Sequence, residues 1–171
     1  MGVDQITIRR LAGDTAADAA LYRGIRLEAL KDSPEAFGST FATESAQPES
    51  WFADRLASST VLGAFRGSEL VGMAGFAIQQ GQKRAHKGLL WGMYVRRPAR
   101  TSGVGRLLIE AIFEVARPKV ELIQLTVIKD NARARRLYAS LGFVEYGLER
   151  NALKQDGRYY DEFLMAKDLR A

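Results

Sequence analysis

Residues 83–106 read KRAHKGLLWGMYVRRPARTSGVGR, and the rest of the chain is organised around them. Leu89 to Val95 is apolar and aromatic between charged flanks, the pattern of a buried strand. Beyond Gly103, the residues Val104, Leu107, Leu108, Ala111, Ile112 and Val115 recur at the spacing of one helix face. The glycines Gly103 and Gly105 therefore sit at a helix N-terminus, where unpaired N–H groups and the positive end of the helix dipole suit an anion. Glycine lets a guest approach that backbone closely. Seven Lys or Arg and no Asp or Glu fall between Lys83 and Arg106, so the stretch predicts a site for a phosphate-bearing ligand.

Two familiar glycine loops are excluded. There is no Gly-Lys-Ser/Thr for a P-loop, and Leu108 stands where the dinucleotide fingerprint needs its third glycine. Cysteine is absent, which excludes disulfides, a thiol nucleophile and thiolate metal ligands. His86 is the one histidine, so a histidine-rich metal site is excluded too, and no metal is expected. Its neighbours Lys83, Arg84 and Lys87 mark it as exposed.

At 171 residues, the chain is expected to form a single domain spanning 1–171 with a full core. A net charge of +5 permits nucleic-acid binding, but residues 11–54 carry eight Asp or Glu against three Lys or Arg. An acidic region opposed to a basic one suits two different ligands better than one long polyanion. The start, MGVDQITIRR, has no signal-peptide core, and the apolar run Leu70 to Ile78 is too short to span a bilayer. The expectation is a cytoplasmic protein without a membrane partner.

In chain order, Gln5 to Arg10 alternates as a strand, and a helix capped by Asp14 runs to about Leu30. Residues 32–47 read as an irregular loop after Ser33-Pro34. Pro48 opens a second helix through Trp51, Phe52 and Leu56. A hairpin, Val61 to Arg66 and Leu70 to Gln79 around Gly67-Ser68, leads into the Leu89 strand. After the glycine-opened helix comes a buried strand, Val120 to Ile128, then a short helix capped by Asp130 or Asn131 and ended by Gly142. Phe143 to Glu149 and Tyr159 to Lys167 form a last strand pair around Asp156-Gly157. The pattern predicts seven strands and four helices.

Arg100-Thr101-Ser102-Gly103-Val104-Gly105 resembles the Arg/Gln-x-x-Gly-x-Gly/Ala motif of the GCN5-related N-acetyltransferase (GNAT) family. Thirty residues on, Asn131, Ala134, Leu137, Tyr138, Gly142 and Phe143 match its Asn-x-x-Ala-x-x-Leu-Tyr-x-x-x-Gly-Phe pattern. Arg26 to Leu30 with Ser33 to Phe37 also looks like a subset of bacterial members. The resemblance implies an α/β fold of α+β type, with a mixed, mostly antiparallel central sheet of about seven strands flanked by helices. It implies acetyl-CoA as cosubstrate and direct transfer through a ternary complex to a primary amine, either a small metabolite or the α-amine of a peptide or protein. Members of the family are often homodimers.

The same resemblance implies that the backbone of Met93, Tyr94 and Val95 pairs with the pantetheine arm. It assigns the pyrophosphate to the loop Arg100, Thr101, Ser102, Gly103, Val104, Gly105 and Arg106, a cofactor contact to Asn131, and protonation of the departing thiolate to Tyr138. Taken alone, the residues allow plainer readings: Trp91, Met93, Val95 and Tyr138 as core, Asn131 as a helix cap, Arg96 and Arg97 as a solvated basic face. Thr101 stands where the family often has glycine. A phenol of pKa about 10 facing a thiol of about 8.5 gives up its proton uphill by roughly 2 kcal/mol.

No carboxylate lies on the Leu89 strand, where several family members carry a glutamate. Glu28, Glu35, Glu44, Asp161 and Glu162 remain as remote candidates for a general base. Deprotonating a lysine-like amine at pH 7 costs roughly 4 to 5 kcal/mol, an α-amine about 1, so a site with a weak base suits an α-amine. The acidic 11–54 region is expected to attract a cationic acceptor. The rival readings are an acyl-CoA-binding module without catalysis and a basic nucleic-acid binder, the latter supported by the basic run alone.

Overall fold

The computed structural model of the protein describes residues 5–170. The elements are β1 (Ile6–Arg10), α1 (Ala16–Asp32), a 3-10 turn (Pro34–Ala36), α2 (Phe41–Ser45), α3 (Glu49–Ser58), β2 (Thr60–Arg66), β3 (Glu69–Ile78), β4 (Lys87–Val95), α4 (Val104–Ala116), β5 (Leu122–Ile128), α5 (Ala132–Ser140), β6 (Val144–Gln155) and β7 (Arg158–Asp168). Segment 32–47, expected to be irregular, holds the 3-10 turn and α2, which makes five α-helices where four were expected. Thr40 caps α2 by accepting from the Thr43 N–H at 3.1 Å. One turn of helix is too short to show a periodicity in sequence. The last hairpin is also longer than expected, because β6 continues through an irregularity between Glu149 and Leu153.

One seven-stranded sheet in the order β1-β2-β3-β4-β5-β7-β6 carries every helix. All neighbours are antiparallel except β4 and β5. β2 and β3 are buried almost along their whole length, which is why they read as apolar runs and not as alternating ones. One layer of core sets Val104, Leu108, Ile109 and Ile112 of α4 and Tyr138 of α5 against the sheet. A second layer sets Tyr22, Ile25 and Leu30 of α1 and Phe52 and Leu56 of α3 against Met73, Phe65 and Tyr94. Burying a Leu, Ile or Phe is worth about 1.5–3 kcal/mol each, so the two faces anchor the helices that frame the cleft described below. Among the described residues no helix is long and apolar enough to cross a membrane.

The middle of the sheet is split. β4 pairs with β5 only through Lys87, Gly88 and Leu89 against Leu122, Ile123 and Gln124. Beyond Leu89 the strands part, and the cause lies in β4 itself. Trp91 faces Gly75 and Tyr94 faces Met73, so Gly92 and Met93 together oppose the single residue Ala74. Gly92 has φ 62°, the left-handed glycine that opens a bulge of this kind. The bulge bends β4 away from its parallel neighbour, leaving the Leu90 to Val95 edge without a partner strand.

Candidate active site

The split opens a cleft of about 1580 Å³ that reaches residues of both helical layers. A single small molecule usually occupies about 300–1,000 Å³, so the space suits two ligands meeting. Its walls are Leu90 to Val95 of β4 and Leu125 to Ile128 of β5. Val104, Gly105, Arg106, Asn131, Leu137 and Tyr138 line it on the α4/α5 side; Arg26, Phe37, Glu44, Trp51 and Arg55 line it on the α1/α3 side.

At the α4 end, Gly103 is the N-cap with φ 80°, and the N–H groups of Val104, Gly105 and Arg106 are the first of the helix. Such groups have no partner within a helix and are directed outward along its axis. Thr101 has φ 75°, a left-handed conformation that costs a β-branched residue about 1–2 kcal/mol, which gives a reason for a glycine to be favoured at this point of the loop. Its hydroxyl donates to the Arg100 carbonyl, and the Ser102 hydroxyl donates to the Ala99 carbonyl at 2.6 Å. Both side chains therefore serve the loop, and Ser102 does not line the cleft.

Arg100, expected at the phosphates, borders the cleft, but its guanidinium is turned to the protein. Its Nε donates to the Val95 carbonyl at 2.7 Å and Nη2 to Asp32 at 3.0 Å. Arg97 also donates to Asp32, and Arg96 to Glu28. Burial opposes ionisation of Asp32, but its bonds to Arg97 and Arg100 outweigh that and hold its carboxyl low. Arg106 bridges to α5 through Ser140 at 2.8 Å. The basic and acidic regions that stand apart in sequence are thus tied together in space through Glu28 and Asp32.

Tyr138 is 7% exposed, its ring edge-on to Phe143, and it lines the cleft, so it is core and cavity wall at once. Burial pushes its phenol well above the ordinary value. That keeps it a neutral hydrogen-bond donor and makes full surrender of the proton harder. Asn131 caps α5, its Oδ1 accepting from the Ala134 N–H at 3.2 Å, while the residue also lines the cleft. Met93, Tyr94 and Val95 lie on the open stretch of β4. The Tyr94 hydroxyl donates to Glu28 at 3.2 Å, and burial with the charges of Glu28 and Asp32 pushes its phenol to about 12.

The α1/α3 end was largely invisible in the sequence. Glu44, buried, accepts from Arg26 Nε and Nη2 at 2.9 and 2.8 Å and from Arg55 at 3.3 Å. Burial raises its carboxyl, but the Arg26 bonds overcome this and hold it below the ordinary range, so it is no base. Glu28 is engaged by Tyr94 and Arg96, and Asp161 accepts from the Asn151 N–H. Among the five carboxylates considered, Glu35 and Glu162 line the cleft without an ion pair among the described residues. Burial, helped by Glu149, pushes the Glu162 carboxyl up against an opposing hydrogen bond from Thr126.

Comparison with known proteins gives the family. The model of the acetyltransferase (GNAT) family matches residues 26–143. The L-amino acid N-acetyltransferase AaaT of Escherichia coli (strain K12) is 27% identical over 156 residues, covering 88% of this chain and 94% of that protein. The structure of a ribosomal-protein-alanine N-acetyltransferase from Brucella melitensis aligns with a TM-score of 0.76 at 27% identity, over 95% of this chain and 99% of the other. That of yncA from Salmonella typhimurium, solved with its cofactor acetyl-CoA, aligns with a TM-score of 0.79 at 22% identity, over 98% of this chain and 95% of the other. With its family model matched from α1 into the residue that precedes β6, the chain belongs to the GNAT acetyltransferases, enzymes whose donor is acetyl-CoA.

Proposed function

We propose that the protein moves the acetyl group of acetyl-CoA directly to a primary amine in a ternary complex. The observation that carries this reading is the cleft through the split sheet, lined by the glycine-opened helix on one face and by a polar, aromatic site on the other. The first N–H groups of α4 would hold the pyrophosphate, and the free edge of β4 would take the amide-bearing arm as an added strand. Support for the donor comes from the family and from the Salmonella relative's cofactor.

The amine nitrogen attacks the thioester carbonyl, forming the C–N bond and a tetrahedral oxyanion. The amine proton passes to Glu162, directly or through a water. The oxyanion collapses, the C–S bond breaks, and the thiolate leaves against the Tyr138 hydroxyl, which hydrogen-bonds the sulfur or yields its proton. With no cysteine in the chain, no thioester to the protein forms. The acceptor is a small amine or a peptide α-amine; the Brucella relative, named for a ribosomal protein's alanine, supports the second.

Incubation with acetyl-CoA and separate panels of small primary amines and short peptides, read by thiol release and product mass, tests the reading. Acetylation of the amine nitrogen in either panel is expected. Acetyl-CoA binding without any acetylated amine would return the protein to a binding module.

A further inference from the structure

The α1/α3 wall of the cleft sets two guanidinium groups against one carboxylate. Arg26 is 5% exposed and Glu44 2%. Arg26 meets Glu44 fork to fork, and Arg55 Nη1 donates to Glu44 Oε1 at 3.3 Å. The cluster is left one positive charge in excess. Arg55 lies against two indoles, 4.8 Å from the Trp51 ring centre and 4.9 Å from that of Trp91. Arg55 Nε and Nη2 and Arg26 Nη1 meet no acceptor among the described residues. Arg26 Nη1 also approaches the β4 bulge, lying 3.7 Å from where a Cβ on Gly92 would stand.

A part-buried cation with unfilled donors is stabilised by an anion that fills them, and the planar guanidinium matches a carboxylate with two parallel bonds. Indole faces hold Arg55 in one orientation, so little freedom is lost when a guest binds. Phe37, Trp51 and Trp91 supply an apolar wall beside the cluster, suited to an apolar side chain. The unpaired Glu162 lines the same cleft and is available to the amine.

We propose that the acceptor carries a carboxylate beside its amine, as a free α-amino acid does, and that Arg55, helped by Arg26 Nη1, receives that carboxylate. This rests on the N-acetyltransfer reading and names its substrate class. A peptide N-terminus, with an amide in that place, leaves the donors unfilled.

The test uses L-amino acids with apolar and aromatic side chains, each beside its α-amide and its decarboxylated amine. Binding to the protein in the presence of CoA is measured by calorimetry, and acetylation by product mass. The free acid is expected to bind and to react with kcat/KM about 100-fold above its amide. Arg55→Gln is expected to erase that preference through KM and to leave acetyl-CoA binding unchanged, since Glu44 keeps both bonds to Arg26. Amides acetylated as well as acids overturn the carboxylate site and leave N-acetyl transfer standing. Acids that bind without being acetylated support the site and overturn the transfer. Neither binding nor reaction overturns both.

Discussion

The two ends of the cleft are built by different means. The α4 end offers main chain: the first N–H groups of a helix, a left-handed glycine, and side chains such as Arg100 and Ser102 that brace the loop. The α1/α3 end offers side chains drawn from α1, α2, α3 and β4, joined through one buried carboxylate. Main-chain recognition depends on local geometry and tolerates changes in neighbouring side chains. A buried charge network serves recognition and stability together, so a change there is felt by the whole domain.

Substitutions at the two ends are expected to break different properties. The largest effect falls on donor binding in Gly105→Glu, where a Cβ would meet Leu137 at 3.0 Å and Met93 at 3.3 Å and a negative charge would enter the anion site. Acetyl-CoA affinity is expected to fall by about 1000-fold or more, roughly 4 kcal/mol. The readout is loss of the melting shift of about 5 to 10 °C that acetyl-CoA at 100 times Kd gives wild type. An undiminished shift would place the donor elsewhere.

At the opposite end, Glu44→Ala leaves two guanidiniums facing each other and is expected to cost about 3–5 kcal/mol, or about 10 °C in Tm. Because the Glu44 carboxyl is held low, its stabilisation is present above the unfolded value of about 4.3 and lost as pH falls through the folded value. Melts of wild type and variant are therefore expected to converge in acid; a constant gap would remove the ion pair from the account.

Between the ends, Tyr138→Phe keeps the packing against Phe143 and removes the hydroxyl. A kcat lower by about 10- to 100-fold with unchanged acetyl-CoA affinity is expected, while full kcat would sink the role at sulfur. The smallest effect is Glu162→Gln, about tenfold in kcat/KM at neutral pH if other groups or water accept part of the proton flux. The raised carboxyl puts the acidic limb of the wild-type profile above the ordinary glutamate value, with activity falling as pH falls through it, and the variant is expected to lose that limb. The same raised value means that ionised Glu162 weakens the fold above that pH, so the variant melts higher at neutral pH. A limb that survives in Glu162→Gln assigns the proton to another group.

The elements of the α4 end were legible because they are contiguous. Arg100 to Gly105 opens α4, and the Asn131 to Phe143 spacing follows from one helix and its cap. The α1/α3 end was not, because Arg26 and Glu44 meet only when α2 folds back on α1, and α2 is a single turn. Gly92 was hidden differently: an apolar run reads as a continuous strand, and the bulge exists only in register with β3. The partners of the basic run were hidden for a related reason, since nothing in Arg96, Arg97 and Arg100 announces that Glu28 and Asp32 lie across from them.

A sheet joined at its centre by only three residues on each strand carries a notch in its middle. On one side lie β1 to β4 with α1 and α3, on the other β5 to β7, and where the strands part the two halves are held together by the core they share under α4, where Ile109 and Ile112 belong to one buried cluster with Leu90 of β4 and Leu125 of β5. A ligand lying along the free edge of β4, as proposed for the amide-bearing arm of the donor, would supply the missing rung and close that gap in the sheet.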